Sequence, residues 1–264
     1  MMGLGSDRIE LKSAREIEIL HRANGMVLAI LEELRTMALP GVSTLDLDKY
    51  AEQSIRDRGG EPAFKGYRGF PATLCASIND EVVHGIPSPN RALEDGDIVS
   101  LDLGVKLEGF YGDSAITVPV GRVAAEKTRL MAVTREALIR GIRAMKSGAP
   151  MGLMSSEIQR HAENHGFSVV REFVGHGIGR QPHEEPPVPN YVDGDPHGGL
   201  VLKSGMVLAV EPMINAGSHE VRIASDGWTA LTRDGRPSAH FEYSVAVTDD
   251  GPRILGLELS PEGS

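Results

Sequence analysis

Val99-Ser-Leu-Asp-Leu-Gly-Val105, followed after a short interval by Tyr111-Gly-Asp-Ser-Ala-Ile116, is the stretch on which the fold of this chain turns. Side chains of a strand alternate between faces, so Val99, Leu101, Leu103 and Val105 make one apolar face while Ser100, Asp102 and Gly104 make a small, polar one. Asp113 shares a face with Ala115 and Thr117 in the same way. Glu108-Gly-Phe110 between the two runs is able to close a hairpin. The turn midpoint near residue 109 lies seven residues from Asp102 and four from Asp113. Bringing the two acids together therefore requires a bulge, a longer loop or diagonal pairing.

Two more acids interrupt strand-like apolar runs, Glu211 in Val207-Leu-Ala-Val-Glu-Pro-Met213 and Glu242 in Phe241-Glu-Tyr-Ser-Val-Ala-Val247. An ionised carboxylate taken out of water costs several kcal/mol or more unless a cation or several donors meet it. No run of Lys or Arg lies beside them. With His176 in Val174-Gly-His-Gly-Ile178, the set becomes four carboxylates and an imidazole without a thiolate, which reads as a metal site. Four carboxylates exceed the needs of one divalent ion, whereas two ions about 3.5–4 Å apart share bridging carboxylates and a water. The ligands suit Mn, Fe(II), Co or Mg, and zinc is compatible through His and carboxylate. His84, in Val82-Val-His-Gly-Ile-Pro87, and His183, in Pro182-His-Glu-Glu-Pro186, sit in loop-like surroundings. A loop histidine is most simply a solvated one, but beside an activated water it is able to donate to a developing oxyanion or a leaving amine.

The 264 residues are 41% hydrophobic and 24% charged, enough to bury a large core. A net charge of -10 gives no global field for nucleic acid or an anionic membrane. The basic run from Lys127 to Lys146 is read as a solvated helix face. The single cysteine, Cys75, excludes an intrachain disulfide and a thiolate zinc site and fits a cytoplasmic setting. No stretch reaches transmembrane length, and the first ten residues lack the apolar core of a signal peptide.

Ser13-Ala-Arg-Glu16 is a capping box, and Ile17, Leu20, Ala23, Val27, Leu31 and Leu34 recur at helical spacing up to about Met37. A second helix spans Thr44 to Arg58, capped by Ser43 or Thr44 and stopped by Gly59-Gly60. Strands are expected at Thr73 to Asn79, Ile98 to Leu107 and Tyr111 to Val120. The second half repeats the order, with helices at Ala125 to Lys146 and Ser155 to His165, then strands near Val169, Met206, Arg222 and Phe241. Pro186 to Gly199 reads as a surface loop. A helix pair plus antiparallel strands, occurring twice, predicts an α+β fold with pseudo-twofold symmetry and a sheet covered on one face by helices. The metal site then falls between the halves. Residues 1–12 are expected as an N-terminal segment and 13–264 as one catalytic domain.

The strings Ser77-Ile-Asn-Asp-Glu-Val-Val-His-Gly-Ile-Pro87, Ser100-Leu-Asp-Leu-Gly104, Gly112-Asp-Ser-Ala115, Gly175-His-Gly-Ile-Gly-Arg180, Pro182-His-Glu-Glu-Pro186, Val210-Glu-Pro-Met213 and Trp228-Thr229 with His240-Phe-Glu242 resemble, in order, type I methionine aminopeptidase. The resemblance implies the pita-bread fold, a centre of two divalent ions (Co, Mn, Fe(II), Zn or Ni), and cotranslational removal of the initiator methionine when the second residue is small. By position it places the metal ligands on Asp102, Asp113, His176, Glu211 and Glu242, with Asp113 and Glu242 as bridges. Glu211 also handles the proton of the attacking water, and His84 and His183 contact substrate. The methionine pocket falls on Phe64, Tyr67, Phe70, Cys75, His84 and Trp228. Phe64, Phe70 and Pro182 stand where well-known bacterial members have cysteine, tyrosine and phenylalanine. The first two keep volume and apolarity, while Pro182 removes an aromatic wall. The expected partners are nascent polypeptide N-termini at the ribosome, and the expected state is a cytoplasmic monomer without an N-terminal extension. Rival readings are a proline-directed peptidase of the same fold, a non-catalytic binding module and a two-metal phosphoesterase. The first usually carries an extra N-terminal domain, the second would have lost ligands, and the third lacks a phosphate clamp beyond Arg180.

Overall fold

The computed structural model describes residues 9–257. The first eight positions of the expected N-terminal segment and the last seven of the chain lie outside the described residues. Helix α1 spans Ala14–Met37 and begins as the sequence predicts: Ser13 Oγ accepts from the Glu16 N–H, and the Glu16 carboxylate accepts from the Ser13 N–H. Its buried stripe runs from Ile17 through Leu20, Ala23, Val27 and Leu31 to Leu34. Helix α2, Thr44–Asp57, is capped by Ser43. Helices α3, Ala125–Arg143, and α4, Met151–Asn164, form the second pair.

The turn of the central hairpin is shorter than expected. Leu107 lies opposite Phe110, leaving Glu108 and Gly109 alone in the turn with φ of 50° and 81°. Positive φ at both positions is the type I′ pattern, whose twist matches that of the flanking strands. Pairing between Ile98–Leu107 and Phe110–Pro119 then runs unbroken to Ile98 opposite Pro119. No bulge intervenes. Asp102 faces Ala115 and Asp113 faces Gly104, so the two acids are diagonal neighbours on one face.

These strands belong to a nine-stranded sheet in the order Glu61–Pro62, Ile98–Leu107, Phe110–Pro119, Glu242–Thr248, Val207–Val210, Gly175–Gly177, Glu184–Val188. Leu74–Ile78 pairs with Ile98–Leu107, and Gly251–Ile254 with Glu242–Thr248. Every pairing is antiparallel. Two three-stranded sheets flank it. One joins Met213–Asn215 to Ser238–His240 and Ser168–Val169, the other Ala230–Thr232 to Val221–Ile223 and Glu81–Val83.

Both helix pairs lie on the apolar face of the large sheet. Leu31, Leu34, Leu47 and Ile55 of α1 and α2 pack with Val99, Leu101, Leu103 and Val105. Leu130, Leu138, Met154 and Ile158 of α3 and α4 pack with Leu208, Val210, Val245 and Val247. Ile116 touches both clusters at the junction of the halves. Each fully buried leucine in these layers contributes about 1.5–3 kcal/mol relative to an exposed one. Helix α1 comes so close that a Cβ on Gly112 would lie 2.7 Å from the backbone of Ala23 and Asn24. Only glycine fits there.

Three elements differ from the sequence reading by more than a residue at one end. Helix α4 starts at Met151, not Ser155, because Pro150 supplies the entry geometry and the Met151 N–H donates to Leu200 O; Ser155 is interior and its hydroxyl donates to Pro189 O. Helix α3 stops at Arg143, short of Lys146. Pro186 to Val188, expected in a loop, are part of the edge strand Glu184–Val188, where a missing N–H is tolerated. Among the described residues, no helix is long and apolar enough to cross a membrane.

Candidate metal centre

Register gathers the acids. Glu242 is opposite Ala115 and so shares the face of Asp102 and Asp113. His176 is opposite Ala209, and Ala209 is opposite Ser244. Glu211 lies two residues beyond Ala209 and Glu242 two before Ser244, so the alternation puts all five side chains on the face turned away from the helices. Glu211 itself sits just past the strand in which it was expected, Val207–Val210. One ligand atom each of Asp113, His176 and Glu242 lies within 4.8 Å of the others. His176 Nε2 is 3.4 Å from Glu211 Oε1, while its Nδ1 is 2.9 Å from Gly177 O. A carbonyl oxygen only accepts, so Nδ1 carries the proton and Nε2 presents its lone pair to the acids.

The acids are expensive to keep ionised here. Burial pushes Asp102 up to about 7. Burial, and then the neighbouring carboxylates, hold Asp113, Glu211 and Glu242 well above the usual carboxylate range. Asp102 Oδ1, Asp113 Oδ1 and Glu242 Oε1 are buried and meet no hydrogen-bond donor among the described residues. Buried carboxylate oxygens without donors, beside an imidazole lone pair, form a donor set that fits divalent cations. Burial lowers His176 to about 3 and His84 to about 4, with the charge of His183 adding to each. Both imidazoles are neutral at pH 7.

Residues outside the expected set hold these groups in place. Asn24 Oδ1 accepts from the Asp113 N–H at 3.2 Å while its Nδ2 donates to Leu20 O. The Asp48 carboxylate accepts from the N–H groups of Thr73 and Leu74 at 2.8 and 2.9 Å, fixing the strand that carries Cys75 opposite Asp102. Thr117 Oγ1 exchanges hydrogen bonds with both N–H and C=O of His240, just before Glu242. His240 is buried with Nε2 3.8 Å from Glu211 Oε2. Asn24 and Asp48 had a sequence signal, each being polar within an apolar helical stripe; His240 stood in a quoted string, but its approach to Glu211 came only with the fold.

A cavity of about 150 Å³ opens over the acids. All five carboxylate and imidazole positions line it, together with Phe64, Tyr67, Arg68, Phe70, Cys75, His84, His183 and Trp228. Arg68 is the one lining residue that sequence reading did not name. Phe70 meets Trp228 edge-on at 5.2 Å, and His84 sits edge-on between Phe173 and Trp228 at 5.5 and 6.4 Å. The Asp226 carboxylate accepts from the N–H groups of Trp228 and Thr229, closing the turn that presents Trp228 at the rim. His84 holds a left-handed φ of 62°, followed by Gly85, where a Cβ would come within 2.4 Å of Ala76 O. His183 is exposed at the mouth, stacked on Tyr67 at 5.3 Å and 4.2 Å from the His176 ring. Pro182 is buried and is not among the residues lining the cavity.

Residues 18–249 match the model of metallopeptidase family M24. Over 244 residues, 92% of this chain and 97% of the relative, it is 48% identical to methionine aminopeptidase 1 of Bacillus subtilis. The chain belongs to the methionine aminopeptidases of family M24. A crystal structure of methionine aminopeptidase from Thermotoga maritima superposes with a TM-score of 0.92 at 42% identity, covering 95% of this chain and all of that one. The prolidase of Pyrococcus furiosus superposes with a TM-score of 0.75 at 22% identity, with 96% of this chain matched to 66% of its length. That likeness shows a common fold, the pita-bread fold. Membership in M24 carries divalent-metal hydrolysis with it, and the oxygen-rich cluster is where this chain can hold the ion.

Proposed function

We propose that this chain removes the initiator methionine from polypeptides whose second residue is small, with residues 13–264 acting as one catalytic unit. The observation that carries the reading is the convergence, in one cavity, of four carboxylates, three histidines and the side chains of Phe64, Tyr67, Phe70, Cys75 and Trp228. Asp102, Asp113, His176, Glu211 and Glu242 would hold two divalent ions drawn from Co, Mn, Fe(II), Zn and Ni, with Asp113 and Glu242 as the ligands common to both, and ions bound there would supply Lewis acidity and a water of pKa lowered to about 7. Phe64, Tyr67, Phe70, Cys75, His84 and Trp228 enclose the thioether, a flexible and polarizable group that suits an aromatic wall. Glu211 lines the cavity beside His176, and its carboxylate takes the proton of the attacking water and returns it to the departing amine. His84, neutral at pH 7, donates to the scissile amide, and His183 at the mouth donates to the carbonyl oxygen as charge develops on it. The Cys75 thiol, pushed well up by burial and by Asp102, packs as a small apolar group. The substrates are nascent N-termini at the ribosome, met by a cytoplasmic monomer.

The test is release of free amino acid from Met-Ala-Ser, Met-Leu-Ser and Ala-Pro-Ala by metal-stripped protein given Mn, Co, Fe(II), Zn or Ni in turn. Metal-dependent release of methionine from Met-Ala-Ser alone is the expected result. Cleavage of Ala-Pro-Ala alone moves the assignment to a proline-directed peptidase.

A further inference from the structure

His183 makes no hydrogen bond through its ring to any described residue and stacks on Tyr67 and against the His176 ring. Its place is therefore set by the backbone on either side. Both sides are fixed by one carboxylate. Glu184 Oε1 accepts from the Gln181 N–H at 3.0 Å, closing the loop before His183, and Glu184 Oε2 accepts from Lys12 Nζ at 2.7 Å. The Lys12 side chain is 1% exposed, a rare state for a lysine, and its ammonium also reaches Glu10 Oε2 at 3.2 Å. The Lys12 N–H donates to Gly205 O at 2.7 Å, which anchors it to a separate turn of the molecule. Gly179 makes room for it, since a Cβ there would stand 2.3 Å from Lys12 Cε. Register adds a further mark: His176 pairs with Pro187 but Gly177 with Glu184, so residues 185 and 186 bulge out and Glu184 is drawn back toward the His176 strand.

An ion pair that takes its lysine out of water is on average no more stabilising than apolar groups of the same volume, so its presence here calls for a reason other than stability. We propose that Lys12 and Glu184 are a positioning pair that holds His183 over the metal centre, making the N-terminal segment part of the catalytic apparatus. This rests on the reading of His183 as a substrate-contacting group. Lys12 touches no substrate; it acts through the loop.

The experiment replaces the pair together, Lys12→Met with Glu184→Gln, so that no unpaired charge is left buried, and compares it in the metal-loaded full chain with His183→Ala and with all three changes combined. The kcat on Met-Ala-Ser is expected to fall about 10–100-fold in the pair variant, since a misplacement of about 1 Å costs up to that much. KM and metal content stay within about twofold of the parent protein. On the His183→Ala background the pair replacement is expected to add little, because coupled residues are not additive. Retention of full kcat in the pair variant, or a fall that multiplies undiminished on the His183→Ala background, overturns the proposal. Full kcat in His183→Ala by itself removes the reading of His183 and this proposal with it, an outcome separable from failure of the pair alone. Glu184→Gln alone, which leaves Lys12 with Glu10, provides a second variant if the double replacement does not fold, and the same pattern is expected of it.

Discussion

On the helix side of the central hairpin, Val99, Leu101, Leu103 and Val105 are fully buried and meet apolar side chains of α1 and α2. On the other side of the same strands, Asp102 and Asp113 are surrounded by other acids and hold oxygens that meet no donor. One backbone serves both. The apolar side gains free energy from every group it hides, while the acidic side gives some back unless a cation is bound. The site is thus destabilised locally and held in shape by its reverse face and by polar struts such as Asn24, Asp48 and Thr117.

Changes on either face separate the two roles. The largest effect is expected from Asp113→Asn, which keeps the shape and removes the charge. Metal affinity should fall by more than the roughly 10–100-fold typical of losing an outer partner, with turnover lost in parallel. The metal-free variant should melt no lower than the metal-free parent, because a buried carboxylate that resists ionisation has become a neutral amide. Metal analysis and calorimetry check both, and a fully loaded Asp113→Asn protein would contradict the bridging role.

Next in size, His84→Ala should cut kcat about 100-fold, the usual cost of one donor aimed at developing charge, without changing metal content. Unchanged turnover would remove its assigned role. On the opposite face, Leu101→Ala should cost about 2–5 kcal/mol of stability in denaturant unfolding while the folded fraction keeps its kcat. Loss of metal affinity in that variant, under conditions where it is folded, would show the two faces to be less separable than they look.

The smallest effect is a matter of pH. In the metal-free fold Asp102 is raised from 3.8 to about 7, and Asp113, Glu211 and Glu242 are raised well above their ordinary values. The folded state then binds protons that the unfolded chain has released, so this stability is present at low pH and is lost as pH rises toward the folded values. His84, His176 and His240 are lowered to about 4, 3 and 3 and work in the opposite sense below their ordinary value of 6.5. Above about pH 6.5 only the carboxylates count. The melting temperature of metal-stripped protein is expected to fall between pH 6.5 and 8, and the gain on adding Mn to grow over the same range. A gain independent of pH would mean that the acids are ionised before metal arrives.

Much of this was legible before folding, for identifiable reasons. The alternation of residues 99–105 told which side of the strand Asp102 occupies, and the Ser13/Glu16 capping box located the start of α1 to the residue. Phe110 was placed in the turn because Glu108-Gly109 was not read as a type I′ pair; read so, the diagonal relation of Asp102 and Asp113 follows from counting. The start of α4 was placed four residues late, at Ser155, which lies inside the helix with its hydroxyl donating to Pro189 O. Arg68 at the cavity mouth carried no local pattern at all.

Sequence alone determined which side chains could share a face, which acids were too costly to bury unpartnered, and, through ordered motifs along nearly the whole chain, the family. Those are properties of periodicity and of single groups, and both are written locally. Only the tertiary structure decided which distant groups meet: Glu242 opposite Ala115, Asn24 beneath Asp113, and Lys12 against Glu184 across 172 positions. Such pairs depend on long-range strand register and on the close approach that Gly112 and Gly179 permit, and neither can be computed from spacing along the chain.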